Sequence, residues 1–352
     1  MTSKRIFTSA LGVLGTAALM LAQDAPAPRT GAGVQAAQDA KEPAVLAACK
    51  VPPPAGRGGG RGRGAGRGPV STDPRPYTVS EIPGIIAAGA KWNEIVAVPG
   101  NNADGIIATK DHDGILMAQN DKSDVVKLDK NGKMTVVYSG LYTSGSLAWN
   151  SKGVLFVAER GLNPYIEELA PQKKVLANKM PDGDPLDCLG GVLNDIVADS
   201  KGGLYFTMAG LLYASPQGVV AKYGENLQTN GIILSPDEKH VFVTNQGGLT
   251  EMDVQPDGSL TNQREFAKWE GGGGDGSTFD AAGRMYVTSA GGIQVISPEG
   301  KILGTIPTPR NVISLAFSGK DRKTLYAVER QGADDWIISI PMIAQGPKGR
   351  GK

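Results

Sequence analysis

Six short segments of the chain carry an oxygen-bearing residue at the same position, directly before a strand-like run of β-branched and aromatic residues. The six residues are Asp104, Ser146, Asn194, Asn230, Asp275 and Ser314. Carboxylate, amide and hydroxyl oxygens are the donors that suit Ca²⁺, whereas zinc and copper favour imidazole or thiolate. If the fold brings the six positions together, the pattern predicts a divalent-metal site of hard oxygen ligands.

A purely structural interpretation of this pattern is also open. Asp, Asn and Ser are common where strands begin, because their side chains hydrogen-bond to nearby backbone in turns. We favour that interpretation for Ser146 and Ser314. The other four residues are followed by glycine, which permits close backbone approach, or by a further polar residue. The predicted metal ligands are therefore Asp104, Asn194, Asn230 and Asp275.

The segments that carry these residues are copies of one repeat. They begin at Ala103, Gly145, Leu193, Thr229, Gly274 and Ile313, which lie 36 to 48 residues apart. Each copy reads as a strand, a tight turn, a second strand and then outer strands such as DVVKLD and MTVVYS. This period is typical of a four-stranded propeller blade and is too long for a leucine-rich repeat.

The last copy offers only three strands, namely ISLAFS, TLYAVE and WIISIPM. The strand NEIVAV at 93–98 is left over before the first copy. Pairing the two would close the ring and hide both free edges. The sequence thus predicts an all-β, six-bladed β-propeller whose last blade is closed by an N-terminal strand. Innermost strands line the channel of a propeller, so the six oxygen-bearing residues should form a ring at one channel mouth.

Two other sets of residues have side chains that could take part in catalysis. The only histidines, His112 and His240, fall in hairpin-turn segments, which argues against a serine or cysteine triad. Two Glu-Arg pairs end second strands, at 159–160 and at 329–330. They either face the same mouth and bind substrate or, as we favour, form cross-blade salt bridges or solvated strand ends.

The composition divides the 352-residue chain into four parts. Residues 1–22 combine a basic start with an apolar run that ends at Ala22, as in an export signal, with an uncleaved anchor helix as the alternative. Residues 23–76 are predicted to be a disordered Ala/Pro-rich and Gly/Arg-rich linker, 77–345 the propeller and 346–352 a basic tail. We expect an exported protein, periplasmic or extracellular, with no transmembrane segment in its mature form.

Possible partners are narrowed by charge and by aromatic content. The net charge of +1 favours no class of partner. The arginines in GRGGGRGRGAGRG at 56–68 have no aromatic residues between them to stack on bases, so no nucleic-acid partner is expected.

An oxidising compartment would permit a disulfide between the two cysteines, Cys49 and Cys188, although the sequence leaves open whether the two meet. Lipidation of Cys49 is the alternative, disfavoured because Lys41 to Pro43 interrupt the apolar core that a lipoprotein signal needs.

Three segments carry a resemblance to a known family: LNDIVADSKGGLYFT, TNGIILSPDEKHVFVTN and GDGSTFDAAGRMYV. Over roughly 100–340 the chain resembles the gluconolactonase, senescence-marker-protein (regucalcin) and luciferin-regenerating-enzyme family. The resemblance implies that Asp104, Asn230 and Asp275 are metal ligands and that Asn194 is a ligand or a substrate contact. Calcium is the first expectation, with zinc, magnesium and manganese as alternatives.

This sequence departs from the family pattern in the first and third blades. Asp104 stands in Ala-Asp-Gly-Ile, where the family usually has a Glu in Gly-Glu-Gly/Ser-Pro. Val192 replaces an arginine that often contacts substrate two residues before the third-blade Asn, and no acidic residue follows Thr207-Met208. The first change bears on the position of the ion, and the other two bear on sugar specificity.

The resemblance also implies an activity, the hydrolysis of a cyclic ester such as a sugar lactone. Asp275 would guide or deprotonate the attacking water, and Asn194 would donate a hydrogen bond to the developing oxyanion. The expected ligand is a small lactone or sugar-like molecule; the sequence does not fix the oligomeric state. The alternatives are a non-catalytic extracellular propeller that binds a protein or glycan, and a strictosidine-synthase-like propeller enzyme.

Overall fold

A computed structural model describes residues 42–51, 53, 73–332 and 334–349. Its strands form six antiparallel sheets of four, which are the six blades of a β-propeller, as predicted. Strand β1 (Asn93–Val98) precedes the first blade, and the first three blades follow it in chain order. They are β2 (Ile106–Ala108), β3 (Gly114–Gln119), β4 (Asp124–Asp129) and β5 (Met134–Tyr138); β6 (Ser144–Trp149), β7 (Leu155–Glu159), β8 (Tyr165–Ala170) and β9 (Lys174–Ala177); and β10 (Ile196–Ala198), β11 (Leu204–Thr207), β12 (Leu211–Ala214) and β13 (Val220–Tyr223).

The last three blades follow in the same way, and the sixth contains three strands of its own. They are β14 (Thr229–Leu234), β15 (His240–Asn245), β16 (Gly248–Val254) and β17 (Leu260–Lys268); β18 (Ser277–Phe279), β19 (Met285–Ser289), β20 (Gly292–Ile296) and β21 (Ile302–Ile306); and β22 (Val312–Ser318), β23 (Thr324–Gln331) and β24 (Asp334–Pro341).

The predicted closure of the ring is confirmed by the order β1-β24-β23-β22 in the last sheet. Strand β1 pairs antiparallel with β24, from Asn93 opposite Ser339 to Val98 opposite Asp335. The segment before β1 also packs on the last two blades, where Ile85 and Ile86 are buried in a cluster with side chains of both. The N-terminal part of the described propeller therefore completes both the last sheet and the core beneath it.

The propeller core lies between blades, because each blade is covered on both faces by its neighbours. Strand β3 is buried at every position, whereas the outer strand β5 is exposed along most of its length. One buried cluster joins Val197 and Tyr205 of the third blade to Ile232 and Val241 of the fourth. Such fully covered inner strands read as continuous apolar runs rather than as alternating ones.

A short ordered segment lies within the predicted 23–76 linker. Helix α1 (Glu42–Ala47) is followed by Cys49, which forms a disulfide with Cys188 across a Cα–Cα distance of 5.6 Å. Cys188 belongs to a 3₁₀ helix, Leu186–Leu189, in the connection to the third blade. The pairing that the sequence left open is therefore made, and it uses the Cys49 sulfur that lipidation would require.

The other boundary predictions stay predictions. The export signal at 1–22, the Gly/Arg-rich stretch at 56–68 and the end of the basic tail lie outside the described residues. Within the described part of the chain, no helix has the length and apolar character needed to span a bilayer.

Candidate active site

The six predicted ring positions lie at one mouth of the channel, where the innermost strands begin. Five of them line one cavity that is open to solvent. The sixth, Asn230, contacts the ring through its side-chain oxygen, which accepts a hydrogen bond from Asn194 Nδ2. The cavity lining from the ring is Asp104, Ser146, Asn194, Asp275 and Ser314, to which the structure adds Asp195 and Arg160.

The two ring serines join neighbouring blades. Ser146 Oγ donates a hydrogen bond to Asp195 Oδ1 at 2.6 Å, from the second blade to the third. Ser314 Oγ accepts one from Ile106 N at 3.3 Å, from the first blade to the sixth. Both contacts agree with the structural interpretation of these serines, since each hydroxyl is used by buried groups of the ring itself.

Two ring glycines are required by close approach between blades. A β-carbon added to Gly231 would overlap the Asp275 carbonyl oxygen, and one added to Gly276 would lie 2.7 Å from the Ile313 carbonyl oxygen. Any side chain here would force the fourth, fifth and sixth blades apart. The glycines therefore fix how closely Asn230 and Asp275 approach each other across the mouth.

Three threonines at the ends of second strands hold the ring backbone, and sequence reasoning missed them. Each hydroxyl accepts a hydrogen bond from an amide at the start of the inner strand of its own blade. The signal was present in the repeat as a shared Thr in LYFTM, VFVTN and MYVTS. The pairs are Asp195 N to Thr207 Oγ1 at 3.1 Å, Gly231 N to Thr244 Oγ1 at 2.9 Å, and Asp275 N to Thr288 Oγ1 at 3.0 Å.

Arg160 places a guanidinium group among the ring oxygens. It forms an ion pair with the Asp104 carboxylate, and its side chain is 4% exposed. The same group donates to the Asn194 carbonyl oxygen and, at 3.0 Å, to Asn194 Oδ1. Arg160 therefore lies at the mouth and also forms a cross-blade salt bridge, which combines the two interpretations offered for its Glu-Arg pair.

The second Glu-Arg pair forms ion pairs beside the mouth rather than in it. Glu329 accepts a hydrogen bond from Arg310 Nη1 at 2.9 Å, while Arg330 Nε lies 3.4 Å from Asp335 Oδ1. Burial raises the pKa of Asp335 to about 6, with Arg330 opposing the shift and the charge of Asp104 adding to it. Asp335 Oδ2 also accepts a hydrogen bond from Ala103 N at 2.9 Å, which positions the residue before Asp104.

The donor atoms at the mouth fit a divalent cation. The four predicted ligands supply two carboxylates and two amide side chains, a hard-oxygen set suited to Ca²⁺ or Mg²⁺. The oxygens of Asp104 and Asn194 already converge on one positively charged group, the Arg160 guanidinium. The guanidinium is a stand-in cation, and its position shows that these oxygens attract positive charge.

A second group of metal-binding residue types lies on the fourth blade. Ligand atoms of His240, Glu251 and Asp253 all lie within 4.8 Å of one another. Arg264 Nη2 contacts both carboxylates, at 2.9 Å from Glu251 and 2.8 Å from Asp253. An arginine thus supplies the positive charge at this group, which lies apart from the residues of the channel mouth.

Comparisons with known proteins agree with the fold and with the predicted resemblance. Residues 143–329 match the model of the SMP-30/Gluconolactonase/LRE-like region. Over 131 residues the chain is 33% identical to a 6-deoxy-6-sulfogluconolactonase of Pseudomonas putida, covering 33% of this chain and 45% of that protein. The chain spans about half the length of the relatives that it matches, from 45% to 56%.

Solved structures show the same architecture. A gluconolactonase from Xanthomonas campestris superposes with a TM-score of 0.62 at 18% identity, covering 79% of this chain and 98% of that one. A calcium-binding protein, regucalcin, from Agrobacterium tumefaciens superposes with a TM-score of 0.55 at 17% identity, covering 72% and 96%. At these identities the likeness shows the fold.

Proposed function

Because the chain belongs to the SMP-30/gluconolactonase/LRE-like family, we propose that it hydrolyses a cyclic ester, such as a sugar lactone, at the channel mouth. The observation that carries the proposal is the convergence of Asp104, Asn194 and Asp275 on one cavity. The names of the Pseudomonas and Xanthomonas proteins support a lactone as the substrate class.

A divalent cation completes the proposed site, held by Asp104, Asn194, Asn230 and Asp275. Calcium is the first candidate because every proposed ligand atom is an oxygen. The calcium-binding regucalcin, which has the same fold, supports this choice. Zinc, magnesium and manganese remain alternatives. When bound, the cation would polarise the ester carbonyl and make water a stronger nucleophile.

Asp275 is the proposed general base. Asp275 lines the cavity, and its backbone is fixed by the Thr288 hydroxyl and by the close approach of Gly231. The carboxylate takes a proton from the water that attacks the carbonyl carbon. As the ring C–O bond breaks, that proton passes to the departing alkoxide, and the product is an open-chain hydroxy acid.

Asn194 is the proposed oxyanion contact. An amide nitrogen carries two hydrogens, and in this structure one of them points at Asn230 Oδ1. The other hydrogen can point at the oxygen that gains negative charge as water adds. Thr207 supports this geometry, because its hydroxyl both accepts from Asp195 N and donates to the Asn230 carbonyl oxygen at 2.5 Å.

The direct test is hydrolysis of a panel of aldonolactones by metal-stripped protein, before and after Ca²⁺, Mg²⁺, Mn²⁺ or Zn²⁺ is added back. We expect metal-dependent ring opening, followed as acid release above the spontaneous rate. His240→Ala is the matched control, since it alters the fourth-blade group and leaves the mouth intact. A folded, metal-binding protein that opens no lactone would contradict the activity and favour the non-catalytic alternative.

We also propose that the protein is exported. The basic and apolar start of the chain motivates this, and the Cys49–Cys188 disulfide supports it, since such bonds persist in oxidising compartments. Mass spectrometry of protein from its native host should find a mature N-terminus near Gln23 and no reactive thiols. Recovery of cytosolic protein that retains Met1 and two reduced cysteines would overturn the proposal.

A further inference from the structure

Arg160 donates hydrogen bonds to two of the oxygens that a metal ion at the mouth would need as ligands. Its guanidinium contacts the Asp104 carboxylate and Asn194 Oδ1, and both residues belong to the proposed ligand set. We propose that Arg160 is a resident cation of the site and that a divalent metal binds only when Arg160 leaves these two oxygens. This inference rests on the metal site of the proposed function.

The position of Arg160 is built into the fold rather than being one of many surface arrangements. Its side chain lies against Gly145, where a β-carbon would overlap Nε and Cζ of the guanidinium. Its backbone N–H donates to the Thr143 carbonyl oxygen at 3.1 Å, and Nη1 lies 3.4 Å from Asn120 Oδ1. Oxygens of the first and third blades therefore surround a guanidinium that is almost completely buried.

Comparison with the equivalent arginine of the sixth blade, Arg330, shows which feature of the second blade lets Arg160 reach the ring oxygens. Arg330 ends its second strand in the same Glu-Arg pair, yet it turns to Asp335 and to Asn101 Oδ1, at 2.7 Å. The repeat position that is Gly145 in the second blade is Ile313 in the sixth, and its branched side chain is buried. A glycine thus gives Arg160 the space that the sixth blade denies to Arg330.

Charge explains why the guanidinium and the metal exclude each other. Two cations that share the oxygens of Asp104 and Asn194 repel strongly, because little water is present between them to screen their charges. Without metal, Arg160 neutralises Asp104 and satisfies Asn194 Oδ1, which favours a well-ordered mouth. Metal binding must then displace the guanidinium, and the observed affinity is lowered by the free energy of that displacement.

The test compares calcium binding by calorimetry in wild type, Arg160→Met and Arg330→Met. Arg160→Met keeps an unbranched apolar stem but removes the guanidinium and so frees the oxygens; we therefore expect a dissociation constant lower by about tenfold or more. Arg330→Met removes the same charge from the equivalent position of the sixth blade and frees no ring oxygen, so its affinity should stay close to that of wild type. The calcium-induced rise in melting temperature should follow the same order.

Gly145→Ala provides a second variant that keeps the arginine and pushes it out of the mouth. It should also strengthen calcium binding, and it serves if Arg160→Met folds poorly. Equal calcium affinity in wild type, Arg160→Met and Gly145→Ala would show that Arg160 and the metal do not exclude each other. The metal site itself would not be contradicted by that result. If none of the proteins binds Ca²⁺, Mg²⁺, Mn²⁺ or Zn²⁺, both the inference and the metal site are overturned, whereas lactone hydrolysis is measured separately.

Discussion

Asp195 accepts a hydrogen bond from Ser146 Oγ at 2.6 Å, across the boundary between the second and third blades. Its other carboxylate oxygen accepts one from Ile232 N at 3.0 Å, in the fourth blade. One buried side chain therefore links three of the six blades, close to the proposed site. The first, fourth and fifth blades have glycine at this repeat position, and there the backbones meet directly instead.

Asp195→Ala should destabilise the propeller by about 3 kcal/mol, because buried donors on two neighbouring blades lose a charged acceptor. Ser146→Ala removes only one of these bonds and should cost about 1 kcal/mol. Urea unfolding of both variants and of the double variant measures the coupling, which should be favourable. Strictly additive effects, or an Asp195→Ala protein as stable as wild type, would show that the contact does not join the blades energetically.

Strand β1 should be essential for closure of the ring. A shortened chain beginning at Asp73 keeps β1 and the buried Ile85 and Ile86, whereas one beginning at Gly100 lacks them. Both shortened chains lack Cys49, so Cys188 would be left as a free thiol. Both therefore carry Cys188→Ser, and they differ only in residues 73–99. We expect the longer chain to melt late and cooperatively and the shorter one to melt earlier or aggregate through its open edge. Equal melting curves would contradict the role of β1.

Glu159 should make the protein less stable as pH rises. Burial raises its pKa to about 8, against the backbone hydrogen bond from Tyr142, while Glu167 raises it further and Lys173 lowers it. The folded state thus keeps a proton that the unfolded chain releases above a pKa of 4.5, so the free energy of unfolding falls between about pH 4.5 and 8. Glu159→Gln should remove this loss, a gain on the order of 4 kcal/mol at pH 8.

Glu329→Gln is the matched comparison for that change, at the equivalent position of the sixth blade. Glu329 is ion-paired with Arg310 at 2.9 Å, so its loss leaves a largely buried arginine without its nearest carboxylate. It should destabilise by about 3 kcal/mol at both pH 5 and pH 8. Unfolding curves at the two pH values decide the matter; a Glu159→Gln protein with the wild-type pH dependence would show that Glu159 is ionised when folded.

The propeller fold and the ring of oxygen-bearing residues could be predicted because both depend on sequence patterns that repeat along the chain. Asp104, Asn194 and Asp275 occupy the same repeat position, and a propeller places equivalent positions around one axis. The closing strand followed from counting, since the last copy of the repeat lacked one strand. The ring positions are thus read within a few residues of each inner strand, and the closure from a count of strands over the six copies.

The location of Arg160 could not be predicted in this way. The pairs at 159–160 and 329–330 read alike, and the difference between them depends on Gly145, which lies on another strand of the blade. The Cys49–Cys188 bond likewise joins residues 139 apart, and the sequence carries no local signal of which chain segments meet. Contacts between distant strands set both features, so only the packed structure reveals them.

Asp275 has two proposed roles, as a ligand of the metal ion and as the general base of the reaction. Asp275→Asn keeps the shape of the side chain but removes a charge facing the cation, so the calcium-induced rise in melting temperature should shrink strongly. Asp104→Asn should weaken the rise as well, whereas Ser314→Ala, which alters a blade-to-blade contact, should leave it nearly unchanged. A wild-type melting temperature that ignores Ca²⁺, Mg²⁺, Mn²⁺ and Zn²⁺ would argue against any metal at the mouth.

The catalytic part of this prediction is tested at saturating calcium, where weaker binding no longer limits the rate. Asp275→Ala should then lower kcat for the best lactone by about 100-fold or more, because the water loses its general base. The Thr288 contact is made by the Asp275 backbone, so the strand entry should survive the change, and the melting temperature without metal checks this. If kcat is unchanged at saturating calcium, Asp275 serves the ion alone, and another group must take the proton from water.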